Sequence, residues 1–174
     1  MAVGLSSSAR ACLVIVDQVL AARPEWSYLD PSWVMTIIDI ESGYRPLAGP
    51  NSANRFDGLM QVIPSTAAYM AQLYGIPAGP QTDPTTSIQS GIGYMDASAR
   101  DIIAKRGVKS LDLWELAQAY NEGYGAIEAG RLDPAYLQKF ELNLPIVQAQ
   151  MHATLMTAQG VAANFRSAWG MVPI

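Results

Sequence analysis

Three Asp-Pro pairs, Asp30-Pro31, Asp83-Pro84 and Asp133-Pro134, constrain this chain more than any other feature. An aspartate ahead of a helix accepts hydrogen bonds from the first backbone N–H groups. A proline in the first helical position loses nothing, because that N–H has no partner anyway. Each pair therefore reads as a helix start, and the stops agree. The helix from Pro31 to Ser42 meets Gly43, and one opened at Pro64 meets Gly75. From Pro84 onward, Ile88, Ile92, Met95, Ala99, Ile102 and Ile103 keep helical spacing up to Gly107. Ser6–Ser8 caps an earlier helix reaching Ala22, Ser110 caps one through Tyr120, and Pro145 opens a last one toward Trp169. Residues 43–58 read as loop. Strand signals are scarce, so the expected fold is all-α.

The composition removes several chemistries. The chain has 174 residues, half of them hydrophobic, and a net charge of -4, which suits one domain with a terminal extension and excludes disorder. Cys12 is the single cysteine and His152 the single histidine. A disulfide framework, a cysteine zinc cluster and a His-rich metal site are thereby excluded, and a Ser-His-Asp triad has one poorly placed candidate. No metal or cofactor is expected. With 11 basic and 15 acidic residues, nucleic acid is not the main partner expected. The basic cluster Lys105, Arg106 and Lys109 reads as a solvated helix C-terminus. The apolar run Ala11–Val16 after Arg10 is ended by Asp17, too short for a secretory leader, and reads as part of the first amphipathic helix.

Between Glu141 and Arg166 no residue is formally charged. Val147, Met151, Leu155, Ala158, Ala162, Phe165 and Trp169 recur every three or four positions as one apolar stripe, opposite Gln148, Gln150, His152, Gln159 and Asn164. That much amide argues against a membrane span. The helix is expected to pack on the domain, with a partner or a membrane surface as the alternative.

Glu41 is the first candidate for chemistry. Val34, Ile37, Ile38 and Glu41 fall at i, i+3, i+4 and i+7, so the glutamate extends an apolar stripe. Burial and the negative end of the helix dipole would both raise its pKa, as a general acid near neutral pH requires. Fraying at Ser42, which would release Glu41 to water, is an equal alternative on periodicity alone. Asp39 lies about 200° around the helix and is expected at the surface. Two further clusters are ambiguous by themselves. Gly58-Leu59-Met60-Gln61, followed by Pro64-Ser65-Thr66-Ala67, is a glycine-led loop entering a helix, with an amide suited to hydroxyl or amide ligands. Ala119-Tyr120-Asn121-Glu122-Gly123 is either a polar binding element or an ordinary helix end.

Taken together, Glu41-Ser42-Gly43-Tyr44, the Gly58–Gln61 and Pro64–Ala67 elements and the Ala119–Gly123 element resemble the soluble lytic transglycosylase family in order and spacing. Ile88 and Gly91 after the Asp83-Pro84 start fit it as well. The resemblance covers residues 30–130. It implies a lysozyme-like, mainly helical fold, with residues 1–29 as an N-terminal helix packed on the domain and 131–174 as a C-terminal helical extension. It implies cleavage of the β-1,4 bond between N-acetylmuramic acid and N-acetylglucosamine in peptidoglycan glycan strands, with a 1,6-anhydromuramic product. Glu41 would be the catalytic acid and then base, and no second carboxylate is needed. Tyr120 would hydrogen-bond and orient the acid, Met60 and Gln61 would contact saccharide, and Asn121 and Ser42 would hold the site together.

Three departures stand beside this resemblance. The loop before Gly58 is about two residues longer than the family's, it reads Asn54-Arg55-Phe56-Asp57 where small residues are usual, and Glu122 replaces a small residue. Asp57 and Glu122 are thus extra carboxylates near the site; they read as polar residues of its rim, with service as accessory carboxylates in a water-using, lysozyme-like muramidase, as in goose-type lysozymes, the alternative. Ile63, where that relative carries an aspartate, argues against it. A non-catalytic wall-binding assembly component is the other alternative. The expected place of action is the bacterial cell wall or periplasm. Without a clear leader, a virion-associated or phage-released protein is expected, or a secretion-system component, with the uncharged last helix as its assembly contact.

Overall fold

The helices form in chain order as α1 (Ser7–Ala21), a 3-10 turn (Pro24–Trp26), α2 (Pro31–Ser42), α3 (Pro64–Tyr74), α4 (Pro84–Arg106), α5 (Leu113–Glu122), α6 (Tyr124–Glu128) and α7 (Pro134–Ala168). The computed structural model describes residues 3–47, 57–107 and 112–168, with side chains through residue 158. Among the described residues the single β feature is an isolated bridge between Asp57 and Val62. The fold is all-α.

Each Asp-Pro pair does open a helix. Asp30 accepts from the Ser32 N–H at 2.8 Å, and Asp83 accepts from both the N–H and the hydroxyl of Thr86 at 2.8 Å. Asp133 accepts from the N–H groups of Ala135 and Tyr136 at 3.0 and 3.1 Å. Gly43, Gly75 and Gly107 stop α2, α3 and α4 in the left-handed conformation. Two boundaries differ from expectation. Asp112, accepting from the Trp114 N–H at 2.9 Å, caps α5, while Ser110 lies outside the described residues. Pro145 starts no new helix but sits inside α7. The proline removes one backbone hydrogen bond, which the packing of Val147 and Phe140 into the core offsets.

The core is laid around α4, where Ile88, Ile92, Met95, Ala99 and Ile102 are fully buried; Ile103 faces outward. From α1 come Ala9, Cys12, Val16 and Val19, so the apolar run near the N-terminus is a core element. Burial pushes the Cys12 thiol up to about 11. On α7, Val147 is buried and Met151 half-buried, but Leu155 and Ala158 are exposed. The stripe thus meets the domain as far as Thr154, whose hydroxyl accepts from the Leu5 N–H at 2.9 Å. The side chains of Ala162, Phe165 and Trp169 lie outside the described residues. No helix among the described residues is long and apolar enough to cross a membrane.

Inside α4 sits a buried charge that periodicity does not announce. Asp96 is fully buried and accepts from the hydroxyls of Tyr28 and Tyr74, at 2.8 and 2.6 Å, and from Arg100 Nε at 2.7 Å. A buried carboxylate is tolerable only with such partners. Asp96→Ala would orphan two hydroxyls and a guanidinium at once. We expect it to cost about 2–4 kcal/mol, read as a lower denaturant midpoint at unchanged slope.

Candidate functional site

The site begins at the C-terminus of α2. Val34, Ile37 and Ile38 are buried as the stripe requires, and Glu41 is its half-buried last member. The helix does not fray there. Ser42 Oγ donates to the Ile38 carbonyl at 2.9 Å, Arg45 Nε donates to the Ser42 carbonyl at 2.8 Å, and the Tyr44 hydroxyl reaches back to the Met35 carbonyl at 3.2 Å. Ser42 is itself buried, so it secures the helix end rather than facing a ligand. Asp39 is half-buried, not a surface residue, and burial raises its pKa.

Glu41 Oε1 accepts a 2.8 Å hydrogen bond from the Tyr136 hydroxyl of α7. Burial holds the carboxyl above its ordinary pKa, while this bond and the positive charge of Lys139 pull it back down. Among the described residues, Lys139 is the charge acting on Glu41. Asp57 lies on the bridge to Val62 and lines a different pocket, of about 330 Å³, with Pro64, Gln81 and Ser90. Glu122 is exposed at the last residue of α5. Neither carboxylate is among the groups that shift the Glu41 pKa.

The Gly58–Gln61 loop is tied to Tyr120, which feels the charge of Glu41. Met60 is fully buried, its N–H donates to Ser87 Oγ at 3.1 Å, and its carbonyl accepts from the Tyr120 hydroxyl at 2.7 Å. Gly91 of α4 makes the room: a Cβ there would lie 2.2 Å from Met60 Sδ. Met60 therefore supports the site from beneath. Gln61 is half-buried, with its amide nitrogen on the Gly58 carbonyl at 2.8 Å. Among the described residues, Tyr44 and Gln61 are the two non-glycine residues with positive φ, at 61° and 49°. Such strain collects where surrounding structure over-determines a functional geometry.

Tyr120 and Tyr136 share the work that the sequence assigns to Tyr120 alone. Both feel the charge of Glu41, and burial pushes both hydroxyls well above their ordinary pKa. Yet Tyr120 braces the Met60 carbonyl, and Tyr136 holds the acid. Asn121 explains how Tyr136 is placed. Its side-chain amide donates to Asp133 Oδ2 at 3.2 Å, Gln118 Oε1 accepts from the Asp133 N–H at 3.0 Å, and Asp133 Oδ1 caps the first turn of α7. The end of α5 thus fixes the start of α7. Tyr136 and Lys139 escape sequence reading; the one signal for Tyr136 is its place in the first turn after the Asp133 cap.

Helices wrapped on a central α4, with one half-buried glutamate at the end of α2, define a lysozyme-like fold. The sequence profile of the transglycosylase SLT domain family matches residues 20–139, and the chain belongs to that family. Among solved structures it is similar to an inactive mutant of the lytic transglycosylase Slt from Pseudomonas aeruginosa, with TM-score 0.54 and 22% identity over 88% of this chain and 24% of that one. It is also similar to the 70 kDa soluble lytic transglycosylase of Escherichia coli, with TM-score 0.47 and 24% identity over 70% of this chain and 20% of that one. The chain therefore spans about a quarter or less of those proteins. At the level of sequence, no curated protein matches it.

Proposed function

We propose that this chain is a peptidoglycan lytic transglycosylase that cleaves the β-1,4 bond between N-acetylmuramic acid and N-acetylglucosamine. The observation that carries the reading is Glu41, half-buried, raised in pKa and bonded by Tyr136, in a domain of the transglycosylase SLT family. A protonated Glu41 gives its proton to the glycosidic oxygen as the C1–O bond breaks. The C6 hydroxyl of the same muramic residue then closes onto C1 and returns its proton to the Glu41 carboxylate. Atoms balance without water, and the acid is regenerated. Gln61 is the saccharide contact beside the acid, with Met60 beneath it. Asp57 and Glu122 stand apart from the reaction, which favours this route over a muramidase that activates water between two carboxylates.

Mass analysis of digested peptidoglycan tests the reading. Products with 1,6-anhydromuramic ends are expected; reducing muramic ends would make the protein a muramidase, and no products at all a binding component. We place the enzyme at the cell wall, carried in a phage particle or released by one, and detection of the chain in purified virions tests that setting.

Tyr136→Phe separates orientation from acidity. It removes a donor to the carboxylate, which favours the protonated form. Since the acid must be protonated, activity falls as pH rises through the Glu41 pKa, and the variant's alkaline limb is expected at higher pH than the native one. A kcat lower by about tenfold is expected with it, because the carboxyl loses its fixed orientation. An unmoved limb would show that Tyr136 does not reach the acid in the working enzyme.

A further inference from the structure

α7 is apolar on two opposite faces, and the domain uses one of them. Phe140, Leu144, Val147 and Met151 pack toward the core, on the side that also carries Tyr136. On the other side Leu142, Ile146, Ala149, Ala153 and Met156 follow one another at steps of four, three, four and three residues. Leu142, Ile146 and Met156 are 61%, 53% and 52% exposed, Ala149 is exposed and Ala153 half-buried. Single apolar side chains at a surface need no account, but five in one line at heptad spacing form a helix-pairing seam. The seam lies beyond residue 139, where the match to the SLT domain family ends.

The helix also runs on past the domain. All residues from Leu155 to Ala158 are exposed, and the backbone stays helical to Ala168. From Leu142 onward it spans roughly 40 Å, room for nearly four heptads. Without charges it has no ion pairs along its surface, so packing must supply most of its stability.

The borders of the seam say what covers it. Gln150 and Thr157 flank one edge and His152 the other, and no residue between Glu141 and Arg166 is formally charged. Helices that lie on lipid carry Lys and Arg beside the apolar face, and this one has none there. A different helical partner would be selected by charges at the flanking positions, which are equally lacking. A second copy needs no such charges. Each chain carries -4 overall, yet this face brings none of it to the contact. The direction of pairing follows from Lys139, which occupies the next seam position before Leu142. A parallel pair would set two lysines opposite each other, whereas an antiparallel pair sends them to opposite ends. The small Ala149 and Ala153 then meet at the middle, where they let two helices approach closely, and Ile146 of one copy lies beside Met156 of the other.

We propose that α7 pairs antiparallel with α7 of a second copy along this seam, making a twofold dimer. Sedimentation equilibrium of the full chain at tens of micromolar is expected to give twice the protomer mass of 18.7 kDa. Ile146→Glu is expected to weaken self-association by about tenfold or more, and Ile146→Glu with Met156→Glu to leave a monomer. Both positions are exposed, so the helical signal in circular dichroism stays as in the native chain. Leu155→Glu, equally exposed but off the seam, leaves the mass unchanged. Cys12 is buried, so introduced cysteines report by themselves. Oxidation of the Ile146→Cys, Met156→Cys chain is expected to give a covalent dimer, and Leu142→Cys alone to give none. A monomeric native chain overturns the proposal, and its binding to phosphatidylglycerol vesicles would assign the seam to lipid instead. A dimer that survives the double glutamate variant, or that Leu155→Glu dissociates as readily, overturns the seam. Cross-linking through Leu142→Cys overturns the antiparallel order. None of these readouts uses turnover, so failure of the enzymatic reading leaves them unaffected.

Discussion

Glu41→Gln is expected to lower release of anhydromuropeptides by about 10²–10⁴-fold, the span that removal of a positioned general acid produces. The amide keeps the shape of the carboxyl, and its oxygen still accepts from the Tyr136 hydroxyl, so the neighbourhood has no reason to rearrange. It cannot donate the proton that the leaving oxygen needs. Stability should move the other way. Burial raises the Glu41 pKa in the folded state, so the folded protein disfavours its ionised form. The stability linked to this group is fully present below the ordinary carboxylate range and is lost as pH rises through the raised pKa. At neutral pH the variant should therefore melt no lower than the native protein, with its relative advantage shrinking toward acid pH. Product release at the native rate from the variant would remove Glu41 from the mechanism.

Gly58→Ala is expected to cost about 3 kcal/mol or more, lowering Tm by about 6–12 °C, and to abolish activity with it. A Cβ at this position would lie 1.7 Å from the Gln81 carbonyl oxygen and 2.9 Å from Ser87 Oγ, and φ is already +83°. The clash is with backbone, which cannot swing aside. Ser87 Oγ is also the acceptor for the Met60 N–H, so any shift that relieves the clash pulls on the loop carrying Gln61. Gly75 is the control: φ is +61° but the space around it is open. Gly75→Ala should cost only the left-handed penalty, about 1–2 kcal/mol. Equal losses from the two substitutions would mean that the loop does not press on Gln81.

The candidate site is partly legible in the sequence. Glu41, the Gly58–Gln61 loop and the Tyr120–Asn121 pair stand out in the sequence, and the structure brings Glu41 near Tyr120 and braces that tyrosine on Met60. What each residue does was less legible. The hydroxyl on the acid belongs to Tyr136, 95 residues away in sequence. A motif-based reading gives the contact to the nearest tyrosine in a recognised cluster, whereas the lie of α7 across α2 decides which one arrives. Met60 reads as a saccharide contact because it sits beside Gln61, but the absent Cβ of Gly91 lets it sink out of reach. Asp96 gives no sign of its role in an amphipathic pattern, since beside Arg100 on its own helix its partners come from the segment before α2 and from α3.

Local sequence is enough to place the helix starts and stops described above and to put Glu41 at the close of an apolar stripe. Those features depend on hydrogen bonds and sterics within about four residues, so composition at each end suffices to specify them. It also determined that the chemistry must run without thiol or imidazole clusters. Which hydroxyl meets the acid, and that α7 runs unbroken through Pro145, are settled by tertiary contacts. Each of these turns on a contact between distant segments, where the energy comes from packing whole helix faces and the local sequence carries no record of the partner.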